Sequence, residues 1–284
     1  MRVLVTGHRG FVGRAVVDAL TATGAECMGL DLVEGDDVLD PLRVSERATG
    51  CTAVVHLAAV EDEADDYPVP SKAATAPVNR VRETNVGGTR NVLSAAEEHG
   101  FTRVVYLSSV DVLDCFLGMG QPVYFPIDDD HPTNPVGEYA QAKLQSEDLC
   151  AEFTHRTGIP TVCLRPPGVF DDDVYAFIRR ARMDDPEFEW RPFWEFGAFI
   201  DIRDLATAVA CALAADLVGH HRLLICASDI SSARDDSLSL ARRLMPGVPV
   251  REPAQYVQEP FKALVDAHRA QRILGWRPSY TWRN

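Results

Sequence analysis

The stretch Val3–Leu20, VLVTGHRGFVGRAVVDAL, sets Gly7, Gly10 and Gly13 three residues apart between an apolar run and a helical pattern. An apolar run that stops at a glycine and resumes with helical periodicity reads as strand, tight turn, helix. Gly7 allows the turn, Gly10 lets a ligand approach the backbone, and Gly13 lets helix pack closely on strand. The free N–H groups and positive dipole end of the helix then suit a pyrophosphate. The stretch predicts a dinucleotide cradle, in the spacing GxxGxxG rather than GxGxxG.

Asp31 strengthens that reading. It closes the second apolar run, MGLDL, at the distance where a carboxylate accepts hydrogen bonds from the adenosine ribose hydroxyls. A 2'-phosphate there meets a like charge, so NAD is expected over NADP. Arg9, inside the loop, is open to two readings: a guanidinium that pairs with a 2'-phosphate, or a solvated loop residue.

Outward from this stretch, short apolar runs alternate with amphipathic patterns: RVLVTG, AECMGLDL, CTAVVHLAA, TRVVYLSS, IPTVCLRP and HRLLICA, with helices expected over Phe11 to Thr23, Pro77 to His99 and Gly137 to Thr157. Such alternation predicts parallel strands joined by crossover helices, an α/β doubly wound sheet. After LRPPGVF the pattern loosens into a stretch rich in Trp, Phe, Arg and Asp, read as substrate-holding loops. The expected division is a dinucleotide-binding domain over 1–165 with about 199–227, and a small substrate lobe over about 166–198 and 228–284. A helix is expected near Asp235 to Met245.

The 284 residues carry a formal net charge of −14 and a pI near 5.0, a balance that repels nucleic acid and anionic lipid and favours a small-molecule partner. Seven cysteines stand singly, without CxxC pairs or metal spacing, and read as reduced thiols; no metal is expected. The first apolar run breaks at Gly7 and no run is long enough to span a bilayer, so the expectation is a cytoplasmic protein without a signal peptide or a membrane segment.

In GEYAQAKLQSEDL, Tyr139 and Lys143 stand four apart and share one helix face. A free tyrosine titrates near pH 10, too high for a proton shuttle, and a neighbouring ammonium favours the phenolate. Ser108 and Ser109 end the strand of VVYLSSVDVLD at the sheet edge where doubly wound folds bind ligands, and a hydroxyl there can hold a reacting oxygen. Asp111 is read as a ligand for a substrate hydroxyl or as a solvated carboxylate.

With TGHRGFVG, HLAA, ETNVGGTRNVLSAA, YLSSVDVLD, YAQAK, LRPPGVF, FIDIRDLATA and ILGWRP in this order, the chain resembles the extended short-chain dehydrogenase/reductase family, the NAD-dependent epimerase/dehydratase family. The resemblance implies a Rossmann fold. It implies that Ser109, Tyr139 and Lys143 are catalytic, with Tyr139 as acid/base and Lys143 also on the nicotinamide ribose. For the cofactor it implies Gly7, Gly10, Phe11, Val12 and Gly13 on the pyrophosphate, beside Arg9, and Asp31 on the adenosine ribose. Asp37 and Val38 fall to the adenine; Leu57, Ala58, Ala59 and Leu107 line the cleft. Asn85 secures the helix beneath the site, and Pro166 and Val169 touch the nicotinamide end.

Two departures shape the expected function. The segment between Asp31 and DDVLD is short, as though one strand–helix excursion were trimmed, and Phe170 to Ala198 is about half of what sugar-nucleotide enzymes of the family use. Val110 and Asp111 stand where the family's dehydratases place Asp and Glu, which argues against simple dehydration. The expectation is an NAD-dependent oxidoreductase moving hydride between nicotinamide and a secondary alcohol, carbonyl or hemiacetal carbon of a small carbohydrate, similar to compact uronate dehydrogenases. No carboxylate-binding arginine stands out among Arg179, Arg180, Arg182 and Arg191. The alternatives are a sugar-nucleotide 4-epimerase that retains NAD and a non-catalytic NAD(P)-sensing protein. The resemblance also implies a homodimer through the helices following Pro77 and Gly137.

Overall fold

The computed structural model describes residues 1–62, 75–76, 78–113, 115–116, 120–189 and 196–283. Pro77 and Arg191 lie outside them. In chain order the elements are β1 (Arg2–Thr6), α1 (Phe11–Ala22), β2 (Glu26–Leu30), α2 (Pro41–Ala48), β3 (Ala53–His56), β4 (Glu61–Asp62), β5 (Thr75–Ala76), α3 (Val78–Arg82), α4 (Gly88–Glu98) and β6 (Arg103–Leu107). There follow α5 (Glu138–Thr157), β7 (Thr161–Arg165), β8 (Val169–Phe170), α6 (Asp172–Asp184), β9 (Ile200–Asp201), α7 (Ile202–Ala214), β10 (His220–Leu224), α8 (Ser237–Leu244), α9 (Ala254–Gln258) and α10 (His268–Leu274).

Six strands form one sheet in the order β10-β7-β6-β3-β1-β2, every pair parallel. Because successive side chains of a strand point to opposite faces, a strand covered on both sides must be apolar throughout, and Val3, Leu4 and Val5 are all fully buried. Val3, Val5, Val55, Val105 and Val162 pack with α1 and α7 residues such as Val16, Leu20 and Val209. Leu4, Val54, Val104 and Tyr106 pack with Val92, Ala96 and Phe153 of α4 and α5 on the other face. The strand order reverses at β1, whose neighbours are β2 and β3. The crevice beyond their carboxyl ends is where such sheets take ligands.

The sheet ends at β2, and Asp31 leads through a single 3-10 turn, Leu32–Glu34, toward α2. This is the trimmed excursion expected from the sequence. The helix expected from Pro77 to His99 is instead two helices separated by a π-helical turn at Glu83–Gly87. Close packing accompanies the irregularity: a Cβ at Gly88 would lie 2.8 Å from Val38 Cγ1. The stretch after Phe170 is not all loop. Asp171 caps α6 by accepting the Val174 N–H at 3.0 Å, and Val174, Tyr175 and Ile178 bury one face of it against Phe170 and Phe199.

The C-terminal segment is tied to α7. Trp276 is 2% exposed and donates Nε1–H to the Asp204 carbonyl at 3.0 Å. The Asp204 carboxylate accepts the N–H groups of Ser279 and Tyr280, each at 2.9 Å. None of the seven cysteines is in a disulfide. Among the described residues no helix is long and apolar enough to cross a membrane.

Candidate active site

The glycine loop is built around close backbone approach. Gly7 has φ +69° and a Cβ on it would lie 2.8 Å from the Ala58 nitrogen, so both backbone sign and space demand glycine. A Cβ on Gly13 would lie 2.1 Å from the Gly7 carbonyl oxygen, which lets α1 press against the turn. Gly10 caps α1 with extended backbone; no side chain caps this helix and no acidic residue stands in its first turn. The electropositive end of α1, without a capping side chain, fits a pyrophosphate beside Gly10, Phe11, Val12 and Gly13.

Asp31, 8% exposed, stands at the end of β2. Its Oδ2 accepts the Arg9 backbone N–H at 2.8 Å and its Oδ1 the Val33 N–H at 3.0 Å. A carboxylate oxygen has capacity beyond one bond, so Asp31 stays competent toward ribose hydroxyls while fixing the loop. The Arg9 guanidinium turns to Glu34, with Nε and Nη2 each 2.6 Å from Oε1. Asp37 accepts the Leu39 N–H at 2.9 Å. Val38 is buried, and its carbonyl accepts from Asn91 at 3.0 Å.

Beneath the cleft lies a polar network that the sequence reading did not pick out. Thr89 donates its hydroxyl to the Asn85 carbonyl at 2.7 Å, so its oxygen accepts from His56 Nε2–H at 3.1 Å. His56 Nδ1 is then the acceptor for the Thr6 hydroxyl at 2.6 Å. The Thr6 oxygen in turn accepts the N–H groups of Leu57 and Ala58, each at 3.2 Å. This chain of bonds fixes the neutral tautomer of His56, and burial holds its pKa down at about 3. The HLAA histidine therefore orients the turn that lies over Gly7. The signal in the sequence was a lone histidine within an otherwise apolar strand.

Asn85, 1% exposed, sits in the π-helical turn and uses both ends of its amide on one residue: Oδ1 accepts the Val60 N–H and Nδ2 donates to the Val60 carbonyl, each at 2.9 Å. Ala59 lies between that clamp and the Thr6-bound turn. Asn85 thus holds the segment leading to Glu61.

Ser109, Tyr139 and Lys143 come from the end of β6 and the first turns of α5. Lys143 is 2% exposed and donates Nζ–H to the Leu107 carbonyl at 2.7 Å. Its Nζ lies 5.1 Å from the Tyr106 ring centroid and 5.4 Å from that of Tyr139, within cation–π range. Burial pulls its pKa down to about 8, against the opposing pull of Glu61, Asp111 and Glu147. Ser109 donates its hydroxyl to Asp111 Oδ2 at 2.8 Å and accepts the Asp111 N–H at 3.2 Å. The Val110 N–H bonds to the Pro166 carbonyl at 3.1 Å, joining this turn to the segment that carries Pro166 and Val169.

The arginines considered for a substrate carboxylate divide. Arg182 donates to the carbonyls of Phe188 and Ser231 at 2.9 and 2.8 Å and stacks 3.8 Å over the Trp282 ring, so it braces the lobe. Arg179 and Arg180 are exposed on α6.

A sequence model described as the NAD dependent epimerase/dehydratase family matches residues 3–226, and the chain belongs to this family. It is 29% identical over 193 residues to N-acetyl-alpha-D-glucosaminyl-diphospho-ditrans,octacis-undecaprenol 4-epimerase of Escherichia coli O157:H7, a match spanning 63% of this chain and about half, 53%, of that protein. It is 26% identical to GDP-6-deoxy-D-mannose reductase of Pseudomonas aeruginosa over 300 residues, 99% of this chain and 93% of that one. A short-chain dehydrogenase/reductase superfamily protein from Agrobacterium tumefaciens with bound NAD superposes with a TM-score of 0.71 at 22% identity, covering 100% of this chain and 94% of that chain.

Proposed function

We propose that the protein moves hydride reversibly between nicotinamide and a secondary alcohol or hemiacetal carbon of a small, carbohydrate-like substrate. The observation that supports this most is the buried Lys143 ammonium, bonded to Leu107 and beside the Tyr139 ring. A cation there favours the phenolate, so Tyr139 takes the hydroxyl proton in oxidation and returns it in reduction. Ser109 turns its hydroxyl from Asp111 to the reacting oxygen, and Asp111 accepts from a neighbouring substrate hydroxyl. The bound nicotinamide supplies the hydride acceptor or donor. Gly7, Gly10, Phe11, Val12 and Gly13 hold the pyrophosphate, Asp31 the adenosine ribose, and Lys143 the nicotinamide ribose.

The short length of sequence from Phe170 to Ala198 favours a small substrate over a sugar nucleotide. The similarity to a 4-epimerase favours a second reading, in which the same residues oxidise and re-reduce one carbon with retained NAD. A cytoplasmic homodimer, pairing through the helices that follow Pro77 and Gly137, belongs to the same proposal; the two-lobe division is carried with it.

Dialysed protein incubated with NAD and a panel of sugars, uronates and polyols, followed at the absorbance of reduced nicotinamide, tests the reading. Net NADH formation that Tyr139→Phe abolishes, with NAD affinity retained, is the expected result. Stoichiometric retained NAD with inversion of a sugar nucleotide and no free NADH selects the epimerase.

A further inference from the structure

Asp31 and Glu34 begin and end one 3-10 turn, with the Glu34 N–H bonded to the Asp31 carbonyl at 3.0 Å. Asp31 caps the turn in extended conformation, and the two carboxylates meet through Arg9. Arg9 spans both: its backbone N–H goes to Asp31 and its guanidinium to Glu34 at 2.6 Å. His8 joins from the same loop. Its Nε2 lies 3.5 Å from Glu34 Oε2, and its ring fills the space a Cβ on Gly29 would need, as close as 2.4 Å.

Arg9 is thus the loop guanidinium best placed to meet a phosphate on the adenosine ribose, and it is already neutralised. We propose that Glu34 is a cofactor-selecting residue: it occupies Arg9 and sets a second carboxylate beside Asp31, so that a latent 2'-phosphate site is masked and NAD is taken in preference to NADP. A 2'-phosphate arriving here meets two carboxylates and a guanidinium that must first break its own ion pair. The adenosine ribose of NAD carries no charge and needs no such rearrangement. The inference rests on the cofactor crevice and not on the hydride-transfer reading.

The ion pair is solvent-exposed, with Arg9 and Glu34 side chains 58% and 33% accessible, and exposed pairs contribute little to stability. Glu34 can therefore be replaced without losing the fold. Equilibrium binding of NADH and NADPH, read by fluorescence of the reduced nicotinamide, is measured on the wild type, Glu34→Gln, Arg9→Gln and the double variant. The wild type is expected to prefer NADH. Glu34→Gln is expected to raise NADPH affinity about tenfold, since it removes one like charge and frees an opposite one beside a doubly charged phosphate, while NADH affinity stays within about threefold.

Adding Arg9→Gln to Glu34→Gln should remove that gain. Wild type binding NADPH as tightly as NADH, no gain in Glu34→Gln, or a gain that survives loss of Arg9 each overturns the proposal. Glu34→Ser, with thermal unfolding measured beside it, guards against a defect peculiar to glutamine. Loss of NADH binding in both folded variants also overturns it, because Glu34 is then part of the loop's framework and not a selector.

Discussion

The Lys143 ammonium and the Leu107 carbonyl are 2.7 Å apart, and this bond joins the fifth helix to the end of the strand that delivers Ser109. A charge buried to this degree makes its environment measurable through protonation. The folded pKa is about 8 against an ordinary 10.5. Between those values the unfolded chain holds a proton that the folded one has released, so Lys143 penalises the fold fully below about pH 8 and the penalty lifts as pH rises. Urea unfolding should show the wild type gaining about 2 kcal/mol more than Lys143→Met between roughly pH 7.5 and 10. Parallel curves for the two proteins would place Lys143 in water.

His56 carries the same sign of consequence into the acid range. With its folded pKa pushed from 6.5 to about 3, the unfolded chain takes up a proton that the folded one refuses. Stability from this residue is present above about pH 6.5 and falls as pH drops toward 3. His56→Gln should unfold less steeply in acid than the wild type, by about 1 kcal/mol for each pH unit below 6. At neutral pH the same variant should be the less stable, because Thr6 and Thr89 lose their matched partner.

Gly10 and Gly13 should separate binding from folding. A Cβ at Gly13 meets the Gly7 carbonyl at 2.1 Å, whereas at Gly10 the nearest atom is that same oxygen at 3.1 Å. Gly13→Ala is expected to lower stability by about 2 kcal/mol or more through forced backbone movement. Gly10→Ala should melt near the wild type yet weaken NADH binding about tenfold or more if Gly10 borders the pyrophosphate as proposed. Thermal melts and NADH titrations on both variants check this.

Glu147 and Arg165 form a bidentate pair at 2.8 and 2.6 Å, with side chains 0% and 1% accessible. Arg222 adds a third contact, 3.0 Å from Glu147. Glu147→Gln alone should cost about 3 kcal/mol or more, because the buried Arg165 guanidinium loses its bidentate counter-charge, whereas Arg222 keeps Asp148 at 2.6 Å. A double replacement by Leu at 147 and Met at 165 should cost less than the sum of the singles, which a double-mutant cycle in urea reads directly.

Much of this protein is local, and what is local was legible. The strand–glycine–helix grammar of Val3–Leu20 and the alternating apolar runs predicted the doubly wound sheet, and the Tyr139–Lys143 spacing put two side chains on one helix face, because periodicity and backbone sterics act over a few residues. The short link between Asp31 and DDVLD likewise predicted that one strand–helix excursion is trimmed. Side-chain partners across the fold were not legible. That Asn85 spends its amide on Val60, that His56 is locked between Thr6 and Thr89, and that Arg9 belongs to Glu34 each depend on residues brought together from different crossovers. The sixth helix escaped detection because its support is a single Asp171 cap and a narrow face against Phe170 and Phe199. Sequence determined which groups are present and which elements carry them. Only tertiary packing decided which of those groups lose water and find partners, and desolvation and hydrogen bonding are what set the protonation of Lys143 and His56.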